Sequence, residues 1–184
     1  MLVMSIPVTK KQKYKKIHIV GIYGSGKSTL ATDLSKLLNI KSYDLDEIKY
    51  KRKYDLIRPL KERLKIIKEI SDKNAWITEG AWTNYALPLY KKADLVILLQ
   101  IPEFVLYFRI MLRHFKRYFD GDKYEDHNIK TTFKIIRRVW QYYHDEKHFM
   151  ALDVHKQYMT YTKEFTMVKN NSDLKKLIVK INSR

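Results

Sequence analysis

Residues 17–30 read IHIVGIYGSGKSTL. An apolar stretch leads into G-x-x-x-x-G-K-S over Gly21–Ser28, and an amphipathic stretch follows. That spacing is the P-loop, a cradle for nucleotide phosphates. Its glycines let successive backbone N–H groups turn inward around anionic oxygens. The loop from Gly21 through Tyr23, Gly24, Ser25 and Gly26 to Lys27, Ser28 and Thr29 is therefore expected to bind a nucleotide. Lys27 would reach the β- and γ-phosphates, and the Ser28 hydroxyl would ligate Mg²⁺. A helix opening at Lys27 would aim the positive end of its dipole at the same anions. The chain has five glycines, and Gly21, Gly24 and Gly26 all lie in this loop, so an incidental glycine turn is a poor account of it.

Three acids invite chemical roles. Glu79 ends the apolar run AWITEG, where a carboxylate could hold a Mg²⁺-bound water; otherwise it is a strand-end surface acid. Asp44 and Asp46 lie one residue apart at another strand end, and an alternating strand sends both to one face. Either could accept a proton from an acceptor hydroxyl or fix Mg²⁺ through water, and Asp46 is the one assigned to catalysis. Turn chemistry is the competing use of both, and which of them faces the site stays open. Arg109 and Arg113 are four apart and share a helix face. Their planar guanidinium groups suit a transferred phosphoryl group whose charge is dispersed. The bland alternative is a solvated basic face, with His114, Lys116 and Arg117 nearby. Arg137 and Arg138 are adjacent, so at most one of them faces a site. Trp82 is a candidate for an acceptor pocket, whereas Trp76, Trp140, Tyr142 and Tyr143 at strand or helix spacing read first as packing. The six histidines show no metal-ligand spacing.

Hydrophobic periodicity supplies the elements that must hold these residues. It predicts strands over 16–20, 41–45, 75–80, 94–101 and 164–168. The run DLVILLQI is nearly all apolar, as a strand buried on both faces of a parallel sheet should be. Helices are predicted over 27–38, from Pro59 to about 72, around 83–90, from Pro102 to about 119, through much of 128–159, and from an Asn170–Asp173 cap to about 181. Residues 50–58 form a basic aromatic connector, and Asp120-Gly121-Asp122 breaks the helix before it. Strands alternating with helices imply βαβ units. The expected fold class is α/β, a three-layer P-loop NTPase fold with a mostly parallel five-stranded sheet and a helical, lid-like segment at about 109–130. The P-loop, Asp44/Asp46 and Glu79 would all fall at strand C-terminal ends, where ligands bind in this architecture.

At 184 residues one domain spanning 1–184 is expected, with 1–15 a basic, flexible lead-in. There are no cysteines, so disulfides, thiolate metal sites and thiol nucleophiles are excluded. No apolar run approaches the roughly 20 residues of a membrane span, and apolar residues precede the first lysines, the reverse of a secretory signal. The expectation is a cytoplasmic protein with no membrane partner. The net charge of +17 favours anionic partners, but lysines mixed with acids also describe an ordinary solvated surface.

Together GIYGSGKSTLA, DLDEI, WITEGAW, ADLVILLQIP, Arg109-x-x-x-Arg113 and the RRVWQY run at 137–142 resemble the adenylate-kinase-like P-loop kinases, and most closely the bacterial proteins called DNA topology modulation proteins. The resemblance covers about residues 16–182. It implies Mg-ATP-dependent phosphoryl transfer to a small-molecule acceptor such as a nucleoside, nucleotide or similar hydroxyl compound. It also implies that Arg109 and Arg113 clamp the moving group and that Asn171 borders the adenine. Adenylate kinases carry Asp-Gly-x-Pro-Arg after the third strand. Here the sequence is EGAWT, without the arginine that would hold a nucleoside monophosphate. Two other readings compete. One is a nucleotide-binding protein acting on nucleic acid, with weak or no kinase activity; no recognition helix is evident for it. The other is an ATPase switch without an acceptor, disfavoured by the lack of a separate Asp-Glu pair.

Overall fold

The structure is a computed structural model and describes residues 13–51, 56–80, 84–119, 129–144, 160 and 163–182. Five strands form the sheet: β1 (Lys16–Gly21), β2 (Ser42–Asp44), β3 (Trp76–Gly80), β4 (Leu95–Leu99) and β5 (Phe165–Val168). Their order is β2-β3-β1-β4-β5, and every pairing is parallel. The sheet is thus wholly parallel where a mostly parallel one was expected. The helices are α1 (Lys27–Leu38), α2 (Leu45–Lys49), α3 (Leu60–Ser71), α4 (Leu87–Lys92), α5 (Glu103–Phe119), α6 (Ile129–His144) and α7 (Asn171–Asn182), with a 3₁₀ turn at Asn84–Ala86.

Strand alternation divides the core into two layers. Ile17 and Ile19 of β1 and Leu95, Ile97 and Leu99 of β4 join Leu30 and Leu34 of α1, Leu106 of α5, Val139 of α6 and Leu177 of α7. Val20, Trp76, Val96 and Leu98 turn to the other side, against Ile67 and Ile70 of α3 and Leu89 and Tyr90 of α4. With helices on both faces, the central strands can be apolar throughout, as the DLVILLQI run requires.

The short β2 ends at Asp44, where α2 begins, so the predicted strand over 41–45 is cut short. The cause is a cap: the Asp44 carboxylate accepts a 2.7 Å hydrogen bond from the Asp46 backbone N–H. Asp46 therefore sits in a helix's first turn, and the alternation argument that put it on Asp44's face does not apply. Lead-in residues 1–12, the break at 120–122 and the helical stretch predicted over 145–159 lie outside the described residues. Tyr14, at the end of the lead-in, is buried and donates to Glu164 Oε2 at 2.7 Å. Among described residues, no helix is long and apolar enough to cross a membrane.

Gly80 ends β3 beneath α2. A Cβ there would stand 2.7 Å from Leu45 Cβ, and Leu45 is itself fully buried. Gly80→Ala must push α2 away from the sheet edge. We expect a loss of roughly 1–3 kcal/mol, as for other overpacked sites, visible as a lower unfolding midpoint in urea with an unchanged slope.

Candidate active site at the sheet edge

The P-loop crosses from β1 to α1 at the C-terminal edge of the sheet, with β3 on one side of β1 and β4 on the other. Its turn depends on Gly24 and Gly26, whose φ angles are 78° and 95°; in that left-handed region a side chain is strained. Gly26 caps α1 without any side-chain help, which leaves the N–H groups of that helix's first turn facing the concavity. Ser25 is buried, and its hydroxyl has no hydrogen-bond partner among the described residues.

Lys27 folds its ammonium back to donate to the Ile22 carbonyl at 3.1 Å, inside the ring of the loop. Part of the side chain reaches the surface, but the surrounding protein desolvates the ammonium and lowers its pKa. Glu79, Asp46 and Asp44 pull in the opposite direction, while Arg113 adds to the lowering. Ser28 Oγ donates to Glu79 Oε1 at 2.5 Å. Glu79 is nearly fully buried. Burial raises its pKa against the Ser28 hydrogen bond and Lys27, with Asp44 and Asp46 adding to the rise. Asp44 stands opposite Glu79 in the β2–β3 register, and burial raises its pKa too, against the bond from Asp46 N–H. A hydroxyl, an ammonium and three carboxylates thus sit in mutual electrostatic reach at the strand ends. Among the described residues no three His, Cys, Asp or Glu side chains form a metal cage.

Arg109, two turns into α5, reaches over the loop. Its Nη1 donates to the carbonyls of Gly24 at 3.3 Å and Ser25 at 3.2 Å. Arg113, one turn on, lies on the same face and also lines the adjoining cavity. From α6, Arg138 donates to the Tyr23 hydroxyl at 3.3 Å, with its guanidinium carbon 5.9 Å from the ring centre. Of the adjacent arginines, Arg138 is the one that reaches the loop. Its contact had no local signal beyond the rule that adjacent helix residues diverge.

Beside the loop lies a cavity of about 400 Å³. It is lined by Gly24–Gly26 and Thr29, by Asn170 and Asn171, and by the apolar side chains of Leu30, Ile101 and Leu174. Asp33 of α1 also lines it, a residue the sequence reading did not single out, because one acid on a solvated helix face carries no signal. Of the residues assigned to nucleotide binding, Gly24, Ser25, Gly26, Thr29 and Asn171 line this space. Gly21 instead packs against Leu99, with a built Cβ only 3.0 Å from the Leu99 carbonyl oxygen. Tyr23 lies at the surface with Arg138. Asn170 also caps α7 by accepting from the Asp173 N–H at 3.0 Å, while Asp173 accepts from the Lys169 N–H at 3.0 Å. Trp82 lies outside the described residues; Trp76 is core and Trp140 exposed.

No family model matches the chain. An uncharacterized protein of Bacillus subtilis (strain 168), YqaC, is 36% identical over 117 residues, which make up 60% of this chain and 66% of YqaC; the match thus falls just short of two thirds of that protein's length. Among solved structures, shikimate kinase from Bacteroides thetaiotaomicron superposes with a TM-score of 0.56 at 12% identity, over 92% of this chain and 99% of its own. Shikimate kinase from Acinetobacter baumannii, in complex with shikimate, gives 0.52 at 16% identity, over 94% and 97%. An uncharacterized protein from Eubacterium ventriosum gives 0.51 at 16% identity, over 91% and 98%. At such identities the likeness is one of fold, and with the loop, register and strand order described above it makes this chain an α/β protein with the P-loop kinase fold.

Proposed function

We propose that the protein is a phosphotransferase that moves the γ-phosphoryl group of ATP to a hydroxyl of a small-molecule acceptor. The carrying observation is the convergence of Lys27, the Ser28–Glu79 pair and Arg109 on one loop. Lys27 exchanges its bond to the Ile22 carbonyl for phosphate oxygens, and desolvation strengthens that contact. Arg109 and Arg113 lie where a planar, always-charged group can offset charge on the transferred oxygens. Asp46, within electrostatic reach of Lys27, accepts the acceptor's hydroxyl proton. Ser28 would hold Mg²⁺ directly and Glu79 through water, and the ion would neutralise charge on the β- and γ-oxygens. Thr29 and Asn171 contact the nucleotide, with Asn171 at its base end.

Within this fold, the motifs quoted above support a place in the adenylate-kinase-like group beside the DNA topology modulation proteins. We read the chain as one cytoplasmic domain, with the segment around 109–130 acting as the lid.

The test is a panel of hydroxyl acceptors with γ-labelled ATP, scored for transfer against hydrolysis. Label passing only to water in every case would refute the phosphotransferase reading. In the same assay, Arg109→Lys or Arg113→Lys should lower turnover by about ten- to a hundred-fold while changing ATP affinity little, the signature of contacts made in the transition state. A basic surface of no catalytic consequence would leave both unchanged.

A further inference from the structure

The helical hairpin of α5 and α6 has an apolar outer face. The two helices run antiparallel: Glu103 at the start of α5 meets His144 at the end of α6 at 2.8 Å, and His114 meets Thr132 at 2.9 Å. On α5, Phe104, Phe108, Leu112, Phe115 and Phe119 recur at spacings of four, four, three and four. That spacing forms one stripe, and all five are exposed, Phe104 at 73% and Phe119 at 80%. On α6, Ile129, Phe133 and Trp140 form a second exposed stripe. The α6 stripe lies away from Arg138, which holds Tyr23, whereas the α5 stripe runs beside Arg109 and Arg113 and its Leu112 lines the cavity with them.

Charge identifies the occupant. α5 carries Arg109, Arg113, Lys116 and Arg117, and α6 carries Lys130, Lys134, Arg137 and Arg138; the one acid in both helices is Glu103. Arg109 and Arg138 are engaged with the P-loop, while Lys116, Lys130, Lys134 and Arg137 stand exposed beside the stripes. From this we infer that the α5–α6 face is a docking surface for an anionic lipid bilayer, with the phenylalanines and Trp140 entering the interface and the lysines and Arg137 at headgroup level. Apolar residues on one face with Lys and Arg at its borders are what such binding takes. Such docking requires no membrane-crossing helix, and none is present among the described residues. A second copy docked face to face would bring the two rows of cations together. Leu112 and Ile129 have no π-face to offer a nucleic-acid base.

The experiment is co-sedimentation of the full chain with vesicles of phosphatidylcholine alone and of phosphatidylcholine with phosphatidylglycerol, over a salt series. We expect binding to the phosphatidylglycerol vesicles that weakens as salt rises, and little to the neutral ones. The double change Phe108→Ser with Phe133→Ser should weaken it at least about ten-fold, since two aromatic groups no longer leave water. Its melting temperature should stay at the parent value, because both side chains are already exposed. Lys130→Gln with Lys134→Gln should weaken binding and flatten the salt dependence. Absence of binding to phosphatidylglycerol vesicles overturns the proposal, as does binding that the phenylalanine changes leave intact. A concentration-dependent doubling of mass in light scattering, abolished by those changes and without vesicle binding, assigns the face to a second copy. Retention of a single-stranded oligonucleotide in place of vesicles assigns it to nucleic acid.

Discussion

Lys27→Ala is expected to lower ATP turnover by at least about a hundred-fold, the scale on which a single preorganised charge acts in such a site, and to leave the fold as stable as before or slightly more so. The activity loss follows from where the ammonium sits. It lies inside the P-loop ring on the Ile22 carbonyl, and no other described cation takes that place. The stability forecast follows from its desolvation. Burial lowers the Lys27 pKa despite Glu79, Asp46 and Asp44, so the folded protein holds this proton less firmly than the unfolded chain does. The charged form therefore costs stability at neutral pH, and that cost fades as pH rises through the lowered value toward the ordinary lysine value. Alanine removes both the charge and its cost, giving up one hydrogen bond to a carbonyl. Turnover, nucleotide affinity by calorimetry and thermal unfolding on one preparation check the forecast. Near-parent turnover would sink the assignment of the loop. A large drop in melting temperature would show that the lysine holds the loop together.

How much of this was legible in the sequence depended on whether the signal was local. The P-loop was, because its function lies in the spacing of Gly21, Gly24, Gly26, Lys27 and Ser28. The sheet was, because the runs before Gly21 and Gly80 and over 94–101 are too apolar for anything but buried strands. Helix α2 was not: its five residues are too few to show a period, and its cap, Asp44, reads equally well as a catalytic acid. Trp76 and Trp140 make the same point for packing. The residue type is identical, yet one is fully buried and the other 53% exposed, a difference set by which elements lie over them. The grip of Arg109 on the Gly24 and Ser25 carbonyls spans some 85 residues of chain. Sequence could offer the guanidinium and its helix face, but not the partner. Asp33 could be found only through the cavity it lines.

Glu79→Gln is expected to separate activity from stability in opposite directions. Turnover should fall by about a hundred-fold or more, while ATP affinity falls only modestly, because the amide keeps the carboxylate's shape and can still accept the Ser28 hydroxyl's hydrogen bond. What it loses is the charge that would organise Mg²⁺. The same charge burdens the nucleotide-free protein. Burial is the largest influence on Glu79, and Asp44 and Asp46 add to it, so its pKa is raised in spite of Ser28 and Lys27. A raised folded-state pKa means the folded protein holds the proton more tightly than the unfolded chain. The associated stability is fully present below the ordinary carboxylate value and is lost as pH climbs through the raised one. At neutral pH the ionised Glu79 therefore costs stability, and glutamine relieves it. The variant should melt higher than the parent at pH 7, and the two curves should converge as the pH falls and Glu79 takes up its proton. Melting temperatures over a pH series, beside turnover on the same samples, decide the matter. A variant that melts lower than the parent at neutral pH would show that attraction to Lys27 outweighs burial. A variant with full turnover would leave Glu79 as packing beneath the P-loop. Loss of turnover with gain of stability is the combination expected of a buried acid kept ionisable for its chemistry.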